Sequence, residues 1–258
     1  MNVEQQTIFD NTILRGTVGS TAHGLALDGT DDRDEMGVCI EPMKYVVGLS
    51  NFEQLIFRTA AIRDQMHDAR SQHGDLDLVI YSLRKYVRLA LKGNPTILGL
   101  LFLPKYTIET AAGTDLVFIR EQFVSKRAGR AFLGYLTSQK QRLVGERGGK
   151  HGVRHVGPMG YDTKYATHML RLGYQGCELM ETGRLELPMT GRPQEFLMQV
   201  RHGWMAQDFV MYKAASLEAR LESLISSTKV PDHPDEQKVE QWLIDHYREA
   251  WTPPTRDY

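Results

Sequence analysis

The residue types that could do chemistry crowd into the first third of the chain. Gly19 and Ser20 end an apolar, β-branched run, T-I-L-R-G-T-V at residues 12–18. A glycine at such a turn admits a close backbone approach that a side chain would block, and the serine adds a hydroxyl and an amide. If a helix opens there, its first N–H groups point at whatever lies above the strand, which makes a seat for phosphate. A dozen residues later Asp32 and Asp34 flank Arg33. Residues two apart on a strand project from one face. Two carboxylates so placed repel each other unless a cation sits between them or one is protonated. A hard divalent ion such as Mg²⁺ suits oxygen ligands and keeps waters and substrate phosphates in its shell. A further carboxylate on a neighbouring strand would complete the set. Asp77, in D-L-D-L-V-I-Y, is the first choice and Asp75 the second, because register decides which side chain faces the site. Three carboxylates could hold two metals ~3.5–4 Å apart, a clamp for the attacking and leaving oxygens of an in-line phosphoryl displacement. Taken singly, each piece has an ordinary reading: a commonplace turn, a solvated acidic loop, a strand edge with exposed acids. The order strand, Gly-Ser, short spacer, Asp-x-Asp, strand is much more specific.

These side chains need elements to hold them. Residues 12–18, 36–40 and 76–81 read as short, largely apolar strands. Leu83, Tyr86, Val87, Ala90 and Leu91 recur at helical spacing after the third, with Ser82 as cap and Gly93-Asn94-Pro95 as stop. Beyond residue 115 the pattern is helical: a helix capped by Asp162 or Thr163 running to Thr182, one from Gln207 to Ser227, and one from Glu236 to Ala250. Strands mixed with helices, then helices alone, predict an α/β or α+β domain carrying a helical domain, with α+β the first choice. A small mixed-sheet domain with flanking helices at 1–115 is followed by a helical domain at 116–258. Trp204, Trp242 and Trp251 read as core or interface residues. His23 reads either as a substrate contact or as an ordinary turn residue.

Composition narrows the class. The chain has 258 residues and a net charge of −1, which excludes a wholly basic coat protein and an acidic tail. Nine Lys or Arg face two Glu in the basic segment 120–155. That segment is either a surface for a polyanion or a solvated helix face followed by a Gly-rich loop. Cys39 and Cys177 are too few for a disulfide framework or a four-thiolate zinc site. No apolar run approaches the ~20 residues of a membrane helix, and the N-terminus lacks a signal-peptide pattern. The expectation is a reduced, cytoplasmic protein without a membrane partner.

Gly19-Ser20 followed by Asp32-x-Asp34 resembles the signature of the DNA polymerase beta nucleotidyltransferase superfamily. Within it the chain is similar to the predicted nucleotidyltransferases associated with RNA ligases. The likeness runs through G-S-T-A-H-G, D-D-R-D-E-M-G-V and D-L-V-I-Y-S-L-R-K-Y-V-R-L-A-L-K-G-N-P, then K-Y-A-T-H-M-L-R-L-G and E-L-M-E-T-G-R-L-E-L-P, and spans residues 12 to 245. It implies a palm-like catalytic domain in which Gly19 and Ser20 hold the triphosphate of a nucleotide. Asp32 and Asp34 would bind the catalytic Mg²⁺ (or Mn²⁺), with Asp77 as third carboxylate orienting the acceptor hydroxyl. Lys164, His168 and Arg171 would line the cleft from the helical domain. Their spacing, i, i+4 and i+7, independently puts them on one helix stripe, suited to a polyphosphate or nucleic-acid backbone or else to solvent. One departure is Gly99, where the family often carries Glu. The implied activity is metal-dependent transfer of a nucleoside monophosphate from a nucleoside triphosphate to an acceptor hydroxyl, with release of pyrophosphate and an RNA or tRNA end as favoured acceptor. The alternatives are a non-catalytic nucleotide or nucleic-acid binding module, and modification of a protein partner such as a toxin.

Overall fold

The β-branched run that precedes Gly19 forms strand β1 (Thr12–Thr17), inside a sheet that also holds β2 (Arg33–Cys39), β3 (Gln54–Arg58), β4 (Leu76–Ser82) and β5 (Ile108–Glu109). The computed structural model describes residues 3–27, 33–64, 74–144 and 158–252. Strand order is β3-β4-β2-β1-β5. The β2–β4 pair is parallel and the other pairs are antiparallel. Helices α1 (Val3–Asp10), α2 (Gly19–Ala22), α3 (Thr59–Asp64), α4 (Leu83–Leu91), α5 (Pro95–Leu100) and α6 (Ala111–Phe118) intersperse the strands. Then come α7 (Lys126–Leu143), α8 (Thr163–Thr182), α9 (Gly191–Arg201), α10 (Gln207–Ser227) and α11 (Glu236–Trp251).

Strands β3 and β5 are absent from the sequence reading. A two-residue strand is too short to carry a period, and β3 is bounded by Gln54 and Arg58, which dilute its apolar signal. Strand β2 starts at Arg33, ahead of the expected 36–40. Its charged opening is held by the ladder, Arg33 opposite Leu76 and Asp34 opposite Asp77. That extension matters, because it places Asp34 inside the strand.

Alternation then fixes which way Asp34 faces. Met36 and Val38 belong to the large core on the helical side of the sheet, whereas Cys39, Leu78 and Ile80 pack with Ile8 of α1 on the other side. Asp34 shares parity with Met36 and Val38 and so looks toward the helices. The large core is continuous from Leu14 and Met36 in the sheet to Leu170, Leu217 and Tyr247 in the helices. Trp242 and Trp251 pack against it; Trp204 is 66% exposed and is no core residue.

Helix α8 forms the wall opposite the sheet. Asp162 caps it by accepting from the Lys164 and Tyr165 amides at 3.0 and 3.1 Å, and Gly183, at φ +72°, ends it in the left-handed conformation. It packs between α7 and α10. The approach is close at Gly173, where a Cβ would lie 2.8 Å from Leu136 and 2.9 Å from Leu217. Leu170 and Leu179 are fully buried, each contributing ~1.5–3 kcal/mol of apolar transfer.

Several cations of the basic segment are consumed internally. On α7, Lys126 pairs with Asp232, Arg127 with Glu236 and Lys140 with Glu218. Residues 145–157, which hold the last of that segment's cations, lie outside the described residues. Among the described residues no helix is long and apolar enough to cross a membrane.

Candidate active site

Asp34 and Asp77 are Cα partners on the parallel β2–β4 ladder, so their side chains leave the same face side by side. The Val18 amide donates to the Asp34 carbonyl at 2.9 Å, tying the turn after β1 to the strand that carries the acid. Gly19 has φ +68°. A Cβ there would stand 3.1 Å from Asp34 Cβ and Cγ and would collide with Oδ2. The glycine therefore does more than expose backbone: it vacates the space that the Asp34 carboxylate occupies. Ser20 follows in the one-turn helix α2, its carbonyl accepting from the amides of His23 and Leu25 at 3.2 and 2.9 Å.

A cleft of about 250 Å³ opens above this turn, several times the ~30 Å³ share of one water. Gly19, Ser20 and Asp34 line it from the sheet, and Lys164, His168 and Arg171 line it from α8. The i, i+4, i+7 stripe thus faces the cleft. Thr96 and Gly99 of α5, His23, and Arg201 at the end of α9 add to the wall. A Cβ on Gly99 would meet nothing within 4 Å. Asp32 lies outside the described residues.

Asp77 does not line the cleft. Its carboxylate is held by Arg58 Nε at 3.1 and 3.2 Å, the two residues being cross-strand partners on β3 and β4. Asp75 is engaged elsewhere, by Thr59 Oγ1 at 2.9 Å and Arg63 Nη1 at 2.7 Å. Ladder position thus favours Asp77 over Asp75 as the neighbour of Asp34. Among the described residues no group of three or more His, Cys, Asp or Glu side chains converges. The adjacent pair, Asp34 and Asp77, nevertheless supplies hard oxygen donors, and Gly19 makes room for one of the two carboxylates. Those donors fit a hard divalent ion.

The opposite wall is electropositive. Burial lowers the Arg171 pKa to about 10, which leaves it charged at neutral pH. Its Nη1 donates to His23 Nε2, and it reaches the Gln175 amide oxygen at 3.5 Å. Both partners are neutral. The other ring nitrogen, Nδ1, lies 3.1 Å from the Gln175 side-chain amide nitrogen. Burial, with Arg171 and His168 nearby, holds the His23 pKa well below its usual value. Burial likewise depresses His168 to about 3, helped by Arg171, Lys164 and Arg142. Among the described residues, then, the buried guanidinium meets no carboxylate. An uncompensated buried charge is costly, and an anion in the cleft would complement it.

Sequence reasoning missed His23 as the anchor of Arg171, and it missed Thr96 and Arg201. His23 carried a weak signal, its place inside G-S-T-A-H-G. Thr96 and Arg201 carried none, since only folding brings α5 and α9 to the cleft.

No curated protein matches the chain. Among solved structures, a nucleotidyltransferase-like protein from Exiguobacterium sibiricum 255-15 aligns at 14% identity over 98% of this chain and 81% of that one, with a TM-score of 0.31, too low for the two folds to be equated. The sequence pattern of the RNA repair pathway DNA polymerase beta family matches residues 2–245. That match takes in the acidic sheet and the cationic helix together, from α1 into α11, and the chain accordingly belongs to the RNA repair pathway DNA polymerase beta family and is a nucleotidyltransferase.

Proposed function

We propose that the protein moves a nucleoside monophosphate from a nucleoside triphosphate to the hydroxyl of an RNA end. The observation that carries this reading is Arg171: a buried guanidinium with neutral partners, facing the same cleft as Asp34. A cationic wall opposite an acidic one suits a polyphosphate bridged to the acid by a divalent ion. The unit at 1–115 supplies the acidic wall and the unit at 116–258 the cationic one.

In this account Gly19 and Ser20 hold the triphosphate at the turn. Lys164 and Arg171 draw its oxygens toward α8 with charge-assisted hydrogen bonds. His168, neutral at physiological pH, adds a hydrogen bond without a charge. Asp32, Asp34 and Asp77 would hold Mg²⁺ or Mn²⁺, which when bound supplies charge neutralisation at the phosphoryl oxygens. Asp77 also orients the acceptor. The acceptor oxygen bonds to the α-phosphorus, the bond from that phosphorus to the β-bridging oxygen breaks, and pyrophosphate leaves. The hydroxyl proton passes to a nearby carboxylate and on to water. Most of the acceleration comes from alignment and fixed charge, since the chain needs no covalent intermediate.

The test is Asp34→Asn. We expect loss of nucleotide incorporation into RNA, with thermal unfolding unchanged. Undiminished incorporation by that variant would remove Asp34 from the reaction.

A further inference from the structure

Immediately after the cleft-lining Arg201, the chain displays a run of aromatic rings to solvent. Trp204 is 66% exposed, Phe209 47% and Tyr212 70%. His202 and Trp204 are stacked, with centroids 4.6 Å apart and planes at 15°. Phe209 lies edge-on to Phe196 at 5.9 Å and tilts against Tyr212 at 6.4 Å. Four neighbouring aromatic positions left in water, two on the connection between α9 and α10 and two in the first turns of α10, are unusual, because such rings normally bury most of their area.

The rings are also held in place. The Trp204 amide donates to the Gln199 carbonyl at 3.0 Å. The next carbonyl, Met205, accepts from the Tyr161 hydroxyl at 2.9 Å, and Tyr161 is itself buried. Tyr161 stands just before α8, the helix whose Lys164 and His168 line the cleft. The connection that carries His202 and Trp204 is therefore fastened to the cationic wall. Lys164, Arg171 and Arg201 line the cleft beside it, whereas among the described lining residues Asp34 is the one carboxylate.

We propose that His202, Trp204, Phe209 and Tyr212 form a stacking platform for a single-stranded nucleic-acid end, which leads its terminal hydroxyl into the cleft; this rests on the nucleotidyltransferase reading above. Every base has a π-face, so exposed rings beside a cationic groove bind single strands with little sequence preference. A preformed platform also spares the cost of ordering the loop on binding. Asp208 is the acidic group within the run and Lys213 the basic one, with Lys213 over the Tyr174 ring at 5.6 Å. Stacking area, rather than net charge of the patch, is what selects the ligand, and the cleft supplies the positive potential.

The experiment measures binding of a fluorescently labelled single-stranded RNA oligonucleotide to the full chain by anisotropy, alongside nucleoside triphosphate binding. Trp204→Ala and Tyr212→Ala should each weaken RNA binding about 5- to 100-fold, leave triphosphate affinity unchanged, and Trp204→Phe should restore most of the loss. RNA binding equal in the wild type and both alanine variants overturns the platform. So does absence of RNA binding by a wild type that binds triphosphate, which leaves the nucleotidyltransferase reading standing. Failure to bind triphosphate would sink that reading instead, and the platform with it. A wild-type dimer that dissociates in Trp204→Ala would assign the rings to contact between copies of the chain and overturn the nucleic-acid proposal.

Discussion

Gly19→Ala gives the sharpest perturbation, because the same substitution elsewhere supplies its control. Two separable costs arise at residue 19. Its φ of +68° lies in the left-handed region, where a Cβ costs ~1–2 kcal/mol. For a chain of this size that corresponds to a Tm drop of ~2–8 °C. The second cost is local. The new Cβ would sit 3.1 Å from Asp34 Cβ and Cγ, against ~3.5–4.0 Å for relaxed carbon contacts. Asp34 must retreat by roughly half an ångström or more, and displacements near 1 Å cost on the order of 10²-fold in rate. Gly183, at φ +72° and with nothing within 4 Å of an added methyl, carries the first cost without the second. Gly183→Ala should therefore lose a similar few degrees by differential scanning fluorimetry and keep its nucleotidyl transfer. Gly19→Ala should lose both. If the two variants melted alike and transferred nucleotide alike, the claim that Gly19 makes room for a working Asp34 carboxylate would be wrong.

His168 at about 3 and His23 held well below its usual value are neutral in the fold and charged in the unfolded chain below pH ~6.5. Their folded pKa values are depressed, so the stability they permit is complete above pH ~6.5 and drains as pH falls, by ~1.4 kcal/mol per pH unit for each histidine. Melting curves between pH 7 and about pH 5 should show this, with roughly half the slope in His168→Gln; an unchanged slope would contradict burial as the cause. Lys164→Ala should raise KM for triphosphate about tenfold or more, the value of one charge-assisted hydrogen bond, with kcat less affected; an unaltered KM would take Lys164 off the phosphates. His23→Leu leaves Arg171 without its ring acceptor and should destabilise the fold by ~1–3 kcal/mol in urea unfolding; full stability in that variant would deny His23 its anchoring part. Arg58→Ala removes a guanidinium from the Asp77 carboxylate and should tighten Mn²⁺ binding several-fold by electron paramagnetic resonance titration; no change would exclude Asp77 from the metal set.

Much of this geometry is legible in the sequence because short-range rules govern it. Caps and stops fix α8: Asp162 and Gly183 stand where the pattern puts them, and a rigid helix then turns residues 164, 168 and 171 into one stripe. Gly-Ser at the end of a strand is likewise local. What escapes is non-local. Strand β3, invisible to periodicity, delivers the Arg58 that grips Asp77. The opening of β2 is charged and becomes strand only by pairing with β4, which no periodicity reveals. His23 acquires its role from Arg171, 148 residues away. Residue type alone places Trp204 in a core or an interface, and the connection after α9 keeps it out of the core.

The central claim is that the α-phosphoryl group changes hands in the cleft between Asp34 and Arg171. Parallel incubations with α-labelled and γ-labelled triphosphates, Mg²⁺ and single-stranded RNA test it directly. The account predicts α-label on the RNA, γ-label in pyrophosphate, and neither product with Asp34→Asn. Transfer of the γ-label to the acceptor, or α-label incorporation that survives loss of Asp34, would contradict it.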